Sequence, residues 1–250
     1  MNDNQVTMSR EPQLAGQTVV VLGGSSGMGF ETAKQARFEG ANVVLSGRNP
    51  ERVEHAAREL GALSSAAFDV TDFERLGRFL DELPRPIDHI MVTAGGPYYA
   101  RLADIDFTQA RRNVEEEFWL PLQLARFSTG KVRSGGTLLF IGGIGGRRPS
   151  AGPVLTTFTA AIPALTRALA VELAPIRVNL IAPGFVDTPL SASILGDQLD
   201  ARREQLRKTL PIRRVVGPAD IAALAIHLMV NTAITGVTYD IDGGQQLLEG

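Results

Sequence analysis

The sequence contains no cysteine and only three histidines. Without cysteine, the 250-residue chain has no disulfide, no thiolate nucleophile and no sulfur ligand for a metal. Its three histidines, His55, His89 and His227, lie far apart in the sequence and form no ligand pattern. We therefore expect each histidine to have a structural role, and we predict no metal site.

A strong charge of one sign and a long apolar run are also missing. The formal net charge is -2 and no basic run stands out, so we expect neither nucleic acid nor a membrane surface as a partner. No apolar stretch reaches the length that spans a bilayer, and the N-terminal segment lacks the pattern of a signal peptide. The expectation is a cytoplasmic protein with a flexible tail over residues 1–14 and one domain over residues 15–250.

Residues 18–33 form a stretch typical of a nucleotide-binding turn. An apolar run, Val19 to Leu22, has the length of a buried strand, and a helical pattern begins at Phe30 after a glycine-rich turn. Such a turn brings backbone N-H groups and the positive end of a helix dipole to a pyrophosphate. The alternative is a plain glycine-rich connection. The predicted cofactor contacts are Gly23, Ser25, Ser26, Gly27, Met28 and Gly29.

The remaining chain alternates between predicted strands and helices. Strands are expected over 19–22, 41–45, 63–68, 87–92, 137–141, 176–182 and 236–242. Helices are expected over 30–39, 50–60, 102–127, 160–174 and 215–229, with a further helix after Asp72. This alternation predicts a single-domain α/β protein, a doubly wound parallel sheet of Rossmann type with helices on both faces. Its ligand crevice would lie at the carboxyl ends of the strands.

The end of the second predicted strand indicates which nicotinamide cofactor is preferred. An acidic residue at this place favours NAD, whereas an arginine suits the 2′-phosphate of NADP. The chain has Ser46, Gly47, Arg48 and Asn49 there, and none of them is acidic. We therefore predict that NADP(H) is preferred over NAD(H), with contacts from Ser46, Arg48 and Asn49. An ordinary solvated arginine is the alternative interpretation of Arg48.

The third and fourth strands end in further candidate cofactor residues. Asp69 is placed to accept a hydrogen bond from the adenine amino group, with Val70 beside the ring. Asp69 is equally suited to cap a helix. After the fourth strand, Ala94 and Gly95 are small enough to let a ligand approach the backbone.

Together, the glycine turn, Asp69-Val70, Thr93-Ala94-Gly95, Asn113 and the segments 165–190 and 234–244 resemble the short-chain dehydrogenase/reductase family. The resemblance spans nearly the whole chain. It implies a seven-stranded Rossmann sheet, a nicotinamide cofactor, a homodimer or homotetramer, and a substrate lid over residues 189–210. It also implies cofactor contacts from Pro183, Gly184, Val186 and Thr188. Thr93 replaces the usual asparagine, which predicts the loss of a stabilising hydrogen bond.

The family's catalytic residues are absent from this chain. Members carry a serine after the fifth strand and a Tyr-x-x-x-Lys on the next helix; the tyrosine passes a proton to the carbonyl oxygen. An ungapped alignment places Gly142 or Gly143 at the serine, Leu155 at the tyrosine and Thr159 at the lysine. A shifted register gives Phe158 and Ile162, which also lack a transferable proton.

Two residues remain as catalytic candidates. Asn113 fits the family's asparagine on the preceding helix, although it can equally anchor a helix kink. Tyr98 follows the fourth strand and is the best substitute proton donor, although a wall or lid role for its ring is also open.

The resemblance also implies that the helix after the fifth strand carries the subunit interface. Pro163 either lies near the first turn of a helix that begins late or kinks a longer helix. Ala160, Ala161, Ala164 and Ala168 offer a small-residue surface for contact with a second subunit.

Three functions are compatible with this sequence. The first is an NADP(H)-dependent oxidoreductase that acts on a small organic carbonyl or alcohol with a non-standard proton relay. The second is a catalytically inactive NADPH-binding sensor or partner subunit. The third is a non-redox lyase or isomerase that uses only the scaffold.

Overall fold

A computed structural model describes residues 11–147 and 151–248. Residues 1–10 of the predicted tail, which spans residues 1–14, lie outside the described residues. The structure corrects its C-terminal boundary, because Leu14 is completely buried and its N-H donates to the carbonyl of Glu39 at 2.9 Å. Gln13 is also attached, with its N-H donating to the Glu39 carboxylate at 2.9 Å. Ordered packing therefore begins before residue 15.

The described chain alternates between strands and helices as the sequence predicts. The strands are β1 (Thr18–Leu22), β2 (Asn42–Gly47), β3 (Ser64–Ala67), β4 (Ile87–Val92), β5 (Val132–Ile141), β6 (Arg177–Pro183) and β7 (Thr238–Ile241). The helices are α1 (Gly27–Phe38), α2 (Pro50–Leu60), α3 (Phe73–Glu82), α4 (Phe107–Val114), α5 (Leu120–Ser128), α6 (Pro153–Glu172), α7 (Pro189–Leu195), α8 (Leu199–Thr209) and α9 (Pro218–Val230).

The strands form one parallel sheet with the order β3-β2-β1-β4-β5-β6-β7. The order reverses between β1 and β4, and a doubly wound sheet opens a ligand crevice beside such a switch point. The predicted fold class is therefore confirmed, and the glycine turn that follows β1 lies at this crevice.

Both faces of the sheet are covered, which explains the continuous apolar run of β1. Successive side chains point to opposite faces, so Val20 and Leu22 join one core with α3, α5 and α6. Val19 and Val21 join a second core with α1, α2 and α9. A strand buried on both sides needs the continuous apolar run that the sequence shows.

The predicted helix over 102–127 is the largest error in the secondary structure. The structure gives a short 3-10 turn at Leu102–Asp104, then α4, a π-helical segment at Glu115–Trp119, and α5. Pro121 has no N-H and its ring crowds the carbonyl one turn earlier, so regular α-helix cannot continue through Glu117. The N-H of Leu120 instead bonds to the carbonyl of Glu115, a π-type bond.

Helix α6 runs through Pro163, so the interpretation that the helix begins late is wrong. The helix starts at Pro153, where a proline fits the first turn because that N-H has no helical partner. Pro163 removes the hydrogen bond to the Thr159 carbonyl in the middle of the helix.

By length and composition alone, α6 could cross a membrane, contrary to the expectation that no segment could. It has 20 residues and a mean hydropathy of 1.5 over its most apolar window. In the fold it packs against β6 and buries Ile162, Thr166 and Leu169. A core helix of this kind passes the same test.

Arg177 joins the end of the sheet to the end of α9. Its buried guanidinium donates to the carbonyls of Leu228 and Met229, both at 2.7 Å, and to that of Asn231 at 3.0 Å. It also donates to the hydroxyl of Thr137 on β5 at 2.6 Å. The last carbonyls of a helix have no N-H partner within the helix, and here the Arg177 side chain donates to them.

Candidate active site

The turn between β1 and α1 has the geometry of an anion-binding site. Gly23 and Gly27 have φ values of +93° and +57°, a region that favours glycine. A Cβ at Gly23 would lie 2.7 Å from the backbone nitrogen of Ala94, so the turn also packs too closely for a side chain. No side chain caps the first turn of α1, whose N-cap is Ser26. The N-H groups at this terminus can therefore bind a pyrophosphate.

The neighbouring loops converge on this turn. A Cβ at Gly27 would lie 3.6 Å from Cβ of Thr188, the N-cap residue of α7. Ser25 lies against Gly47 at the end of β2. The structure therefore brings predicted cofactor residues from the ends of β1, β2, β4 and β6 together around one crevice.

Thr93 replaces the family's usual asparagine without the predicted loss of a hydrogen bond. Its hydroxyl donates to the carbonyl of Gly23 at 3.1 Å and to that of Leu22 at 3.2 Å. The end of β4 is thus attached to the glycine turn by a different side chain.

At the end of β2, Arg48 is exposed and has no hydrogen-bond or ion-pair partner among the described residues. Its guanidinium is available to an anion at the crevice. Asn49 caps α2 instead, since its side chain accepts from the N-H of Arg52 at 2.9 Å. Ser46 is fully buried inside β2, and its carbonyl accepts from Gly23 and Gly24 at 3.0 and 2.9 Å. The structure therefore gives Ser46 and Asn49 structural roles beside the crevice.

Asp69 pairs with Arg112 of α4 and does not cap a helix. Its carboxylate accepts from the Arg112 guanidinium at 2.7 Å and from the Thr71 hydroxyl at 2.8 Å. Burial alone would raise the pKa of Asp69, but hydrogen bonds from Thr71 and Arg112 outweigh it and lower the pKa. The cap of α3 is Asp72, so the helix-cap interpretation of Asp69 is wrong.

A cavity of about 640 Å³ adjoins the glycine turn at the carboxyl ends of the strands. It is lined by Met28, Ala94, Gly95, Pro183, Gly184, Val186 and Thr188, all predicted cofactor residues. Leu190, Ile194 and Arg202 of the predicted lid also line it. The segment predicted as the lid comprises α7, a short 3-10 turn and α8. Asp187, in the loop before α7, accepts from the Arg203 guanidinium of α8 at 2.8 and 2.9 Å.

The positions of the missing catalytic residues lie in this cavity. Gly142, Gly143, Leu155 and Thr159 all line it, which supports the ungapped alignment over the register with Phe158 and Ile162. The Thr159 hydroxyl donates to the Leu155 carbonyl at 2.6 Å. The wall that usually carries tyrosine and lysine is therefore apolar apart from a hydroxyl whose proton is already committed.

Tyr98 is not among the described residues that line the cavity, and the structure corrects its proposed role. Its hydroxyl accepts from the N-H of Asp106 at 2.8 Å and donates to the carbonyl of Asp106 at 3.3 Å. Its neighbour Tyr99 lines the cavity instead. Asn113 anchors the β4 loop by donating to the carbonyl of Gly96 at 3.0 Å. The buried Oδ1 of Asn113 has no hydrogen-bond partner in the part of the chain that the structure describes.

Glu117 is a cavity residue that the sequence reasoning missed. Burial raises its pKa to about 7, and the negative charge of Glu116 adds to the shift. The available signal was an acid four residues after Asn113, next to the apolar segment of α5. Its position in a run of three acids suggested a solvated face instead.

A family model described as enoyl-(acyl carrier protein) reductase matches residues 23–246. The chain is also 30% identical over 254 residues to the short-chain dehydrogenase/reductase ATR9 of Stachybotrys chlorohalonatus, covering 93% of this chain and 98% of that protein. The chain belongs to the short-chain dehydrogenase/reductase family. This membership agrees with the resemblance seen in the sequence.

Other members of the family are similar along their whole length. Human dehydrogenase/reductase SDR family member 4 is 30% identical over 256 residues, which cover 95% of this chain and 90% of that protein. The structure of the MalC reductase/Diels-Alderase from Malbranchea aurantiaca has a TM-score of 0.85 at 27% identity, covering 95% and 99% of the two chains. A small-chain dehydrogenase in complex with NADPH has a TM-score of 0.79 at 31% identity, covering 93% and 99%.

Proposed function

We propose that this protein is an NADP(H)-dependent oxidoreductase that acts on a small organic carbonyl or alcohol. The observation that carries the proposal is the cofactor crevice, with its uncapped turn at α1 and an unpaired arginine at the end of β2. When bound there, NADPH supplies a hydride to an electrophilic carbon. The apolar cavity beside the crevice is large enough for a small organic molecule.

The preference for NADP(H) rests on Arg48. Its guanidinium has no competing partner among the described residues, and it lies next to the N-terminus of α2, where the helix dipole also favours a phosphate. Two similar structures are described as complexes with NADPH, the small-chain dehydrogenase above and BdcA.

Fluorescence titrations with NADPH and NADH test this preference in the wild type and in Arg48→Ala. Losing a charged hydrogen bond to phosphate costs about 1.5–3 kcal/mol, so Kd for NADPH should rise roughly 10-fold to 100-fold. Kd for NADH should stay nearly constant. Arg58→Ala is the control, because Arg58 is an exposed arginine in the last turn of α2. Equal affinity of the wild type for both nucleotides would contradict the proposed preference.

The absence of the usual catalytic side chains supports a second candidate function. A protein with Leu155 and Thr159 in place of tyrosine and lysine could bind NADPH without turnover, as a sensor or a partner subunit. NADPH consumption with a panel of benzaldehyde, acetophenone, cyclohexanone and ethyl acetoacetate separates the two candidates. Turnover by the purified protein supports the oxidoreductase, whereas tight NADPH binding without turnover supports the second function.

We also propose that the protein assembles as a homodimer or homotetramer through α6. Ala160, Ala161, Ala164 and Ala168 are all exposed and follow helical spacing along this helix. Small side chains on one stripe let two helices approach closely. Val171, in the last turn of α6, is also largely exposed.

A further inference from the structure

Glu117 is placed differently from the two acids that precede it. Glu115 is exposed, and Glu116 accepts a hydrogen bond from Arg112 at 2.9 Å. Glu117 is partly buried, lines the cavity and has no hydrogen-bond or ion-pair partner among the described residues. An unpaired carboxyl facing an apolar cavity is costly when ionised, and it supports no neighbouring structure. A solely structural role therefore does not explain its position.

The backbone around Glu117 holds the side chain against the reaction space. The π-helical segment packs against α6, whose Leu155 and Thr159 line the same cavity. A Cβ at Gly95 would lie 3.3 Å from Cβ of Glu116, so the β4 loop also lies against this segment. Pro121 stops regular α-helix from continuing through Glu117, and the side chain belongs to the widened turn that results.

Few other described residues of the cavity could transfer a proton. The Thr159 hydroxyl donates to a backbone carbonyl, and a guanidinium such as that of Arg202 does not lose its proton near neutral pH. The hydroxyls of Thr93 and Ser191 also donate to backbone carbonyls, and that of Thr188 bonds to Ser191. The phenol of Tyr99 is a further candidate, and it is largely exposed. Glu117 is thus the best-placed acid in the described lining.

We propose that Glu117 is the acid-base residue of this site, and that it replaces the proton relay normally carried by α6. This inference rests on the proposed function. As the carbonyl carbon gains its new bond to hydrogen, the π electrons of C=O move to oxygen, and the Glu117 proton completes the alcohol. The resulting carboxylate then takes a proton from water. In the reverse direction, the carboxylate removes the proton of the alcohol.

The charges around Glu117 favour its protonated form. Glu116 on the same segment is negative, and Arg112 of α4 is already paired with Glu116 and Asp69. On the other packed elements, Leu155 and Thr159 of α6 and Gly95 and Gly96 of the β4 loop are uncharged. Arg202 of the lid lines the cavity, and Arg126 of α5 is exposed. Burial and Glu116 raise the pKa of Glu117 to about 7, so the acid and its conjugate base are both available near neutral pH.

Infrared difference spectroscopy of the cofactor-free protein tests the acid without turnover. The C=O stretch of a protonated carboxyl should disappear as pH rises through about 7, and Glu117→Gln should remove this transition. Glu115→Gln is the matched control, because it changes an exposed acid of the same segment and should keep the transition. If no carboxyl that depends on Glu117 titrates near neutral pH, the inference is overturned.

Kinetics with NADPH and the best substrate of the carbonyl panel provide the second measurement. Glu117→Gln should lower kcat about 100-fold or more and abolish the alkaline limb of the pH profile, with Kd for NADPH unchanged. Glu117→Asp should recover part of the activity, and Glu115→Gln should resemble the wild type. A role limited to packing would not move the pH profile.

The two proposals fail in different ways in this experiment. Turnover by the wild type that persists in Glu117→Gln but is lost in Tyr99→Phe overturns the role of Glu117 and leaves the oxidoreductase standing. If the wild type binds NADPH and reduces no member of the panel, the oxidoreductase proposal is overturned, and the proton transfer falls with it.

Discussion

Single residues determine what this site can do, and Glu117 has an effect beyond catalysis. A carboxyl whose pKa is higher in the folded protein than in the unfolded chain makes stability depend on pH. The ordinary value is 4.5 and the folded value is about 7. The folded protein therefore keeps a proton that the unfolded chain has already lost between these values.

Stability should consequently fall as pH rises from about 4.5 to 7, by at most roughly 3 kcal/mol from this residue. Below pH 4.5 the contribution is fully present, and above pH 7 it is lost. Urea unfolding at several pH values should show this decline in the wild type, and the difference between wild type and Glu117→Gln isolates it from other carboxyls. Glu115→Gln should follow the wild type; a variant curve parallel to that of the wild type would rule out a raised pKa.

For single residues, the sequence could locate a side chain whose place follows directly from the end of a predicted strand. It located Arg48 just after β2, and that guanidinium has no partner within residues 11–147 and 151–248. It could not separate Glu116 from Glu117, because both belong to one acidic run. Only the packing of α4 shows that Arg112 neutralises the first and leaves the second in the cavity.

Among the helices, α2 was predicted well because the sequence contains both a capping residue at its start and a glycine at its end. The prediction of α2 over 50–60 is confirmed, because Asn49 caps its start and Gly61 ends it at φ +59°. The broken helix around Glu117 was missed, since its widened turn depends on Pro121 and on the bond from Asn113 to the β4 loop. The two helices of the predicted lid, α7 with 7 residues and α8 with 11, were not predicted from the sequence, which indicated that segment only through the family resemblance.

An ion pair connects α8 of the predicted lid to the loop that follows β6. Arg203 of α8 reaches both carboxylate oxygens of Asp187 at 2.8 and 2.9 Å, and a bidentate pair fixes orientation as well as distance. Because both partners are partly exposed, the pair contributes little to global stability. Its main effect should be on the motion of α7 and α8.

Asp187→Asn should therefore accelerate amide hydrogen exchange across residues 189–209 several-fold, with little change in the free energy of unfolding. Asp200→Asn is the control, because the highly exposed Asp200 contacts the same arginine without touching the cofactor loop. Unchanged exchange in Asp187→Asn would show that other contacts hold the lid.

In the whole molecule, the loops that carry the predicted cofactor residues all lie at the carboxyl ends of the strands. The proposed assembly uses a different surface. The exposed alanines of α6 lie on the helix that also supplies Leu155 and Thr159 to the cavity. A subunit contact on α6 would consequently support the wall of the site. Fold class could be predicted from the alternation of elements, but the surface for assembly could only be proposed from the family resemblance.

Ala164→Glu should shift the protein toward the monomer in sedimentation velocity experiments, because it places a charge in the centre of the proposed contact. Phe38→Glu provides the control: it replaces a highly exposed apolar residue on α1, which packs on the other face of the sheet. If both variants sediment like the wild type, the subunits do not meet through α6.

Arg177 has a consequence for how this protein is made. Four of the carbonyls that accept from its guanidinium belong to residues 51 to 57 positions later in the chain. While those residues are still inside the ribosome, the guanidinium would have only the Gly135 carbonyl and the Thr137 hydroxyl as partners, and burying a charge with so few hydrogen bonds is unfavourable. The N-terminal half, with its glycine turn, can assemble during synthesis. The β6 edge must wait for residues 228–234 to emerge, so the crevice is completed only after that segment has left the ribosome.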